Sequence, residues 1–221
     1  MSRDTCPVAT ARPLRRDAEL NRQKIIAAAK VVFSERGLEA TLDDIAHYAG
    51  LGVGTVYRRF PSKEHLVEAL FVAKFDEIND LAEKAMTEPD AWEGFTQFAW
   101  KTAELHATDR GLREVMLSTT FGQDKVAIAR ERMIPTCTRL VERAQASGQL
   151  RADIEPTDLP LLHLMIGSVA DYTHEVQPDL WRRYLGVLLD GLRAAPGEPS
   201  ELQSPPLNEK TLDDAMCSWH P

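Results

Sequence analysis

The chain has 221 residues, with 26 Lys and Arg against 34 Asp and Glu for a formal charge of -8, 43% hydrophobic and 27% charged. This composition excludes a disordered or collagen-like chain and suffices for one or two domains with a buried core. The acidic total, taken alone, argues against nucleic acid, because phosphate binding needs Lys and Arg.

In chain order, residues 1–16 mix Pro, Arg, Thr and Ala without periodicity and read as a flexible basic arm carrying Arg12, Arg15 and Arg16. They hold no apolar core of a signal peptide. A first helix is predicted after Asp17, with Ile25, Ile26, Ala29, Val32 and Phe33 on one side and Gly37 as its stop. Thr41 with Asp44 three residues later is a capping-box pair that opens a short helix over 42–49, and Gly50 follows as a left-handed turn residue. A third short helix spans 53–60 and ends before Pro61. Ser62 then caps a longer helix whose apolar side holds Val67, Leu70, Phe71, Phe75, Ile78 and Leu81.

Later helices are predicted at 91–107, 109–118, 123–146, 157–174 and 178–194, with Pro135 kinking or splitting the third of these. The end, 196–221, has five prolines in 26 residues and reads as a disordered tail. No run alternates like a strand, so the fold is all-α. Helices of about eight residues are too short to stand alone and must pack on the first helix. The domain plan is therefore an arm (1–16), a three-helix unit with a helix-turn-helix (17–65), a larger helical domain (66–195) and a tail (196–221).

Other function classes find little support. Cys6, Cys137 and Cys217 are odd in number and far apart, which suits a reducing cytosol rather than a disulfide framework or a metal site. The longest uncharged apolar stretch, residues 159–170, is 12 residues against the roughly 20 of a membrane span. Neither a phosphate loop nor a nucleophile elbow occurs, so no enzyme, cofactor or metal is expected, and the location expected is the cytoplasm.

On a helical wheel at about 100° per residue, Val53, Val56, Tyr57 and Phe60 share one arc, while Gly54, Thr55, Arg58 and Arg59 lie opposite. Arg reads guanine edges bidentately, Thr can bond phosphate or touch a thymine methyl, and Gly54 admits a phosphate to the backbone. Lys63 adds a cation at the next helix start. A pair of arginines is also what an ordinary solvated face carries. Between Ile45 and Lys63, however, stand three cations and no acid, in a chain with excess acid. A phosphate-facing surface has reason to exclude carboxylates.

The run Ala49-Gly50-Leu51-Gly52-Val53-Gly54-Thr55-Val56-Tyr57-Arg58-Arg59-Phe60-Pro61-Ser62-Lys63-Glu64, followed by Leu66, closely resembles the DNA-binding signature of TetR-family transcriptional regulators. With the preceding helix-and-cap region, the resemblance covers 45–50 residues. It implies an all-helical homodimer that reads a palindromic operator in double-stranded DNA and carries a small-molecule pocket in each C-terminal domain. The DNA-binding residues it implies are Thr41, Gly54, Thr55, Tyr57, Arg58, Arg59 and Lys63. Where the family often has His, Tyr or Trp, this chain has Arg58 and Arg59, for either guanine readout or phosphate contact. Gly52 stands where Ser often caps the recognition helix.

In the larger domain, Trp92, Phe95, Ala99, Thr102 and His106 form one stripe with Phe98 nearby. They suit core packing or the wall of an apolar pocket. Guided by the family, Met116, Phe121, Met133 and Cys137 complete a candidate ligand site with Trp92, Phe95, Phe98 and His106. Leu162, Ile166, Gly167 and Val169, with Trp181, Leu185 and Leu188, resemble the family's dimer interface; burial within one subunit is the competing reading. His163 and His174 are too far apart to share a metal.

Three functions follow: a repressor released by a small molecule; an activator or protein-controlled regulator without an inducer; or a helical ligand-binding or enzymatic protein that no longer binds DNA. The charge total no longer counts against the first. Residues 1–65 hold 11 cations and 8 acids, net +3, so the remaining residues are net -11.

Overall fold

The computed structural model describes residues 11–116, 125–194 and 201–218, the side chains of 11–16 and 217–218 excepted. Ten α-helices make up the described residues: α1 (Ala11–Arg36), α2 (Leu42–Ala49), α3 (Val53–Arg59), α4 (Lys63–Met86), α5 (Ala91–Thr108), α6 (Arg110–Met116), α7 (Lys125–Ala146), α8 (Asp158–Thr173), α9 (Trp181–Leu192) and α10 (Glu209–Ser218). No β-strand occurs among them, only an isolated bridge between Leu150 and Arg193.

The first helix starts at Ala11, earlier than the sequence suggested. Ala, Leu and Arg dominate its opening turns, and Pro13 falls within the first turn, where a missing N–H costs nothing. Residues 1–10 of the expected arm lie outside the described residues. Ile25, Ala29, Val32 and Phe33 of α1 are buried. The helix gives way at Gly37, whose φ of 67° is left-handed. A Cβ at Gly37 would also overlap the Glu114 carboxylate, so conformation and close approach both require glycine.

α4 is 24 residues, about 36 Å at ~1.5 Å per residue, and runs from the small N-terminal unit into the larger bundle. Its buried Leu66, Val67, Leu70, Phe71, Phe75 and Ile78 belong to one continuous core from Ile25 to Leu192. α7 lies along it. Pro135 sits within α7 without splitting it. Proline removes the N–H that would bond the Glu131 carbonyl, but both residues are exposed, so water can take that carbonyl. Ion pairs to α4 flank the site, Arg132 to Asp76 at 2.8 Å and Arg139 to Glu83 at 2.6 Å.

The end of the chain departs from the expected disordered tail, because α10 is a helix within it. The prolines at 196, 199, 205, 206 and 221 all fall outside Glu209–Ser218, so composition averaged over the whole tail hid a helix-competent segment. Asn208 caps it, its Oδ1 accepting from the Thr211 N–H at 2.9 Å. Residues 195–200 lie outside the described residues.

Candidate nucleic-acid interface and internal cavity

The capping box expected at the start of α2 is present in full. The Thr41 hydroxyl accepts from the Asp44 N–H at 3.1 Å, and the Asp44 carboxylate accepts from the Thr41 N–H at 2.8 Å. The Thr41 hydroxyl also donates to the Asp44 carboxylate at 2.6 Å, and this bond first, with that from the Thr41 N–H, lowers the Asp44 pKa to about 2. Gly50 closes α2 at φ 64°, its N–H returning to the Ala46 and His47 carbonyls. The chain can therefore turn tightly into α3, whose N-cap is Gly52.

Only Val56 and Phe60 of the predicted apolar arc are buried. Val53 (42% exposed) and Tyr57 (46% exposed) stand outward, a correction to the wheel. A seven-residue helix rests on its neighbours along a single edge, so an arc of 100° is wider than its contact. Gly54, Arg58 and Arg59 are exposed and Thr55 half-buried on the same surface. Arg58 is held along the helix, its Nε donating to the Gly54 carbonyl at 3.1 Å. Arg59 meets Glu19 of α1 at 3.4 Å. Lys63 differs from expectation: its ammonium donates to the Leu38 carbonyl, so it braces the start of α4 against the turn after α1.

Inside the larger bundle lies a cavity of ≈ 650 Å³. Five of the predicted ligand residues line it: Phe98, His106, Met116, Met133 and Cys137. Two do not. Phe95 faces a separate crevice of ≈ 30 Å³ with Ile166 and Leu185, and Trp92 stacks on Phe95, with Arg193 over its ring. Both are turned away because a helix stripe spans more than one neighbour. Phe121 lies outside the described residues. Burial pushes the Cys137 thiol up to about 12, which leaves it an inert apolar wall group.

Among the contributors sequence reasoning missed are Thr102, placed only in the stripe, Arg130, His163, and α10 with its approach, which supplies Leu207, Leu212 and Met216. The His163 ring stacks on His106 at 4.4 Å between centroids. Its Nε2 lies 2.8 Å from the Thr102 hydroxyl. Burial lowers the His163 pKa to about 4 and holds His106 well below its ordinary value, so both are neutral at pH 7.

α6 connects this cavity to the N-terminal unit. Met116 reaches the cavity wall, and Arg113 donates to the His106 carbonyl and to Asp171. On the same helix, buried Glu114 accepts from the Leu38 N–H and from Arg110 Nε, the latter at 2.8 Å. Leu38 is therefore held by Glu114 through its N–H and by Lys63 through its carbonyl.

The dimer-interface expectation needs correction. Ile166, Gly167, Trp181 and Leu185 are buried within the subunit, Gly167 directly under the Arg113 side chain. Leu162, Val169 and Leu188 are half-buried against the core. The outward apolar residues of α8, α9 and their connection are instead Met165, Tyr172, Val176, Tyr184 and Val187, offset from those predicted. Apolar spacing marks the helix side that sinks into its own core as readily as the side that meets a partner. Among the described residues, no helix is long and apolar enough to cross a membrane.

Comparison with known proteins agrees with this architecture. Residues 25–70 match the family described as "Bacterial regulatory proteins, tetR family", and residues 89–194 match "Transcriptional regulator SbtR-like, C-terminal domain". An HTH-type transcriptional regulator of Staphylococcus aureus is 36% identical over 75 residues, and the match covers 30% of this chain and 40% of that relative. The chain thus spans less than half the length of this curated relative. Among solved structures, the TetR transcriptional regulator SCO0520 of Streptomyces coelicolor is 32% identical, with 79% of this chain and 99% of that one covered and a TM-score of 0.52. A TetR transcription regulatory protein of Mycobacterium vanbaalenii is 30% identical, with 82% and 99% covered and a TM-score of 0.51. With both parts of the chain matched and a solved relative covered almost end to end, the protein belongs to the TetR family of transcriptional regulators.

Proposed function

We propose that the protein is a homodimeric repressor that reads a palindromic operator through α3 and is released when a small molecule occupies the cavity. The observation that carries the DNA-reading half is the outward surface of α3. Gly54, Tyr57, Arg58 and Arg59 are exposed together beyond a left-handed glycine turn, with no acid between Ile45 and Lys63. A short helix of this kind enters the major groove with Arg directed at base edges or phosphates. The Arg59–Glu19 pair is exposed, so its loss on DNA binding costs little.

For the sensing half, a dimer must hold two α3 helices about 34 Å apart to meet successive grooves. A ligand changes operator affinity only through its different affinity for the two arrangements. α4, which reaches from Lys63 to the cavity residue Ile78, and α6, with Met116 at the cavity and Glu114 on Leu38, are the elements that link the two sites.

The test is a gel shift with the palindromic DNA nearest its own gene, repeated across salt concentrations. Arg58→Ala with Arg59→Ala is expected to weaken binding at least tenfold and to flatten the salt dependence by up to about two phosphate contacts. Unchanged affinity and slope would rule out this surface as the reader.

A further inference from the structure

The two histidines of the cavity wall differ in one respect. The His163 ring has a hydrogen-bond partner in the Thr102 hydroxyl. His106 is 1% exposed, and among the described residues neither of its ring nitrogens has a hydrogen-bond partner. A neutral imidazole carries one donor and one acceptor. Burying both unmet costs the desolvation of each, and proteins seldom leave such groups without a reason.

The remaining wall narrows what can meet them. The His163 ring stacks on His106, and the lining of the cavity also includes the apolar Ile78, Phe98, Met116 and Met133. Charge on the lining belongs to Arg130 and to the exposed Glu155, Glu209 and Asp213, a net excess of two acids. Arg130 is already engaged, its Nη2 donating to the Val115 carbonyl at 2.6 Å and its charge opposed by Asp213. A carboxylate at the buried end would meet a neutral ring with a single N–H, and it would have to enter past the exposed acids of the lining. A hydroxyl both donates and accepts, so it can bond either ring nitrogen once a neighbouring side chain shifts to admit it, since both nitrogens are sealed from solvent.

Resting on the reading of this cavity as the effector site, we infer that its ligand is an uncharged, mainly apolar alcohol whose hydroxyl bonds His106. The rest of the molecule lies along the Phe98 and Met133 walls. His106 is thus a specificity-determining residue, and it distinguishes an alcohol from the acid of the same length.

The test uses the full-length protein without DNA and two probes of equal chain length, 1-decanol and decanoate. Binding is followed by isothermal calorimetry to wild type, His106→Phe and His106→Gln. Wild type is expected to favour 1-decanol about tenfold or more, roughly one hydrogen bond's worth. His106→Phe should lose that preference without lowering the melting temperature of the free protein, because it removes two unmet polar atoms and keeps the ring. His106→Gln, which both donates and accepts, should restore much of the preference. Equal or tighter binding of decanoate to wild type overturns the inference. So does undiminished 1-decanol binding to His106→Phe, or failure of wild type to bind either probe. Operator binding is measured separately through Arg58 and Arg59, so failure here is distinguishable from failure of the DNA-reading proposal.

Discussion

Single side chains of this protein serve two neighbourhoods at once, and Glu114 is the clearest case. Its carboxylate is buried beside Gly37 and satisfies both the Leu38 N–H and Arg110. Glu114→Gln would weaken both charge-assisted bonds, and a loss of about 1–3 kcal/mol is expected in urea unfolding; an unchanged midpoint would show that the tie is idle. The histidine pair has a pH signature of fixed sign. Unfolded imidazoles titrate near 6.5, whereas burial holds His163 at about 4 and His106 well below its usual range. The nearest charges are Arg113, which further disfavours protonation of His106, and its partner Asp171. As pH falls from about 6.5 toward 4, the unfolded chain gains protons that the folded one does not, so the stability present above 6.5 is progressively lost. Melting temperatures measured from pH 7.5 to 4.5 should decline less steeply in the His106→Phe, His163→Phe double variant. Parallel curves would mean that the pair does not govern this range.

At the scale of helices, what could be read in advance was what is written locally. The α2–turn–α3 unit depends on a cap three residues from its partner, a glycine and a proline, all within one short segment. Its boundaries were therefore legible, although the depth of Tyr57 and Val53 was not, because exposure is decided by what packs opposite. In the residue pattern the cavity was legible along α5, where His106 lies on one stripe with Phe98 nearby, while Met116, Met133 and Cys137 followed from the family resemblance. His163 is 57 residues from His106, and nothing in either local pattern pairs them. The terminal helix was hidden by its proline-rich surroundings. Its role in the wall leads to an expected outcome: a chain ending at Ser200 should expose the faces that Leu212 and Met216 cover. It should then bind an apolar fluorescent dye such as Nile red more strongly than the full chain, with little change in far-ultraviolet dichroism. Equal dye binding would show that α10 does not cover the cavity.

Over the whole molecule, charge is segregated: net +3 through residue 65 and net -11 beyond it. An acidic body of this kind is expected to repel DNA and so to limit non-specific binding at low salt, which the salt dependence of binding to non-operator DNA would check. Five of the twelve large apolar side chains exposed among the described residues lie on α8, α9 or their connection, with Tyr172 at 91% and Val176 at 90% exposure. Tyr172→Glu with Val187→Glu should leave the fold intact, since exposed positions tolerate substitution. By sedimentation velocity the variant should be a monomer, with operator affinity reduced at least tenfold. A stable dimer would relocate the interface. Finally, the family match ends at residue 194, yet the cavity takes part of its wall from Pro206 to Met216. If the cavity is the effector site proposed above, part of its chemical selectivity would lie in this segment, beyond the stretch that matches the family. On that reading, exchanging the short stretch from Pro206 to Met216 would change what fits the cavity while leaving α3 untouched, a separation useful to an engineer of biosensors.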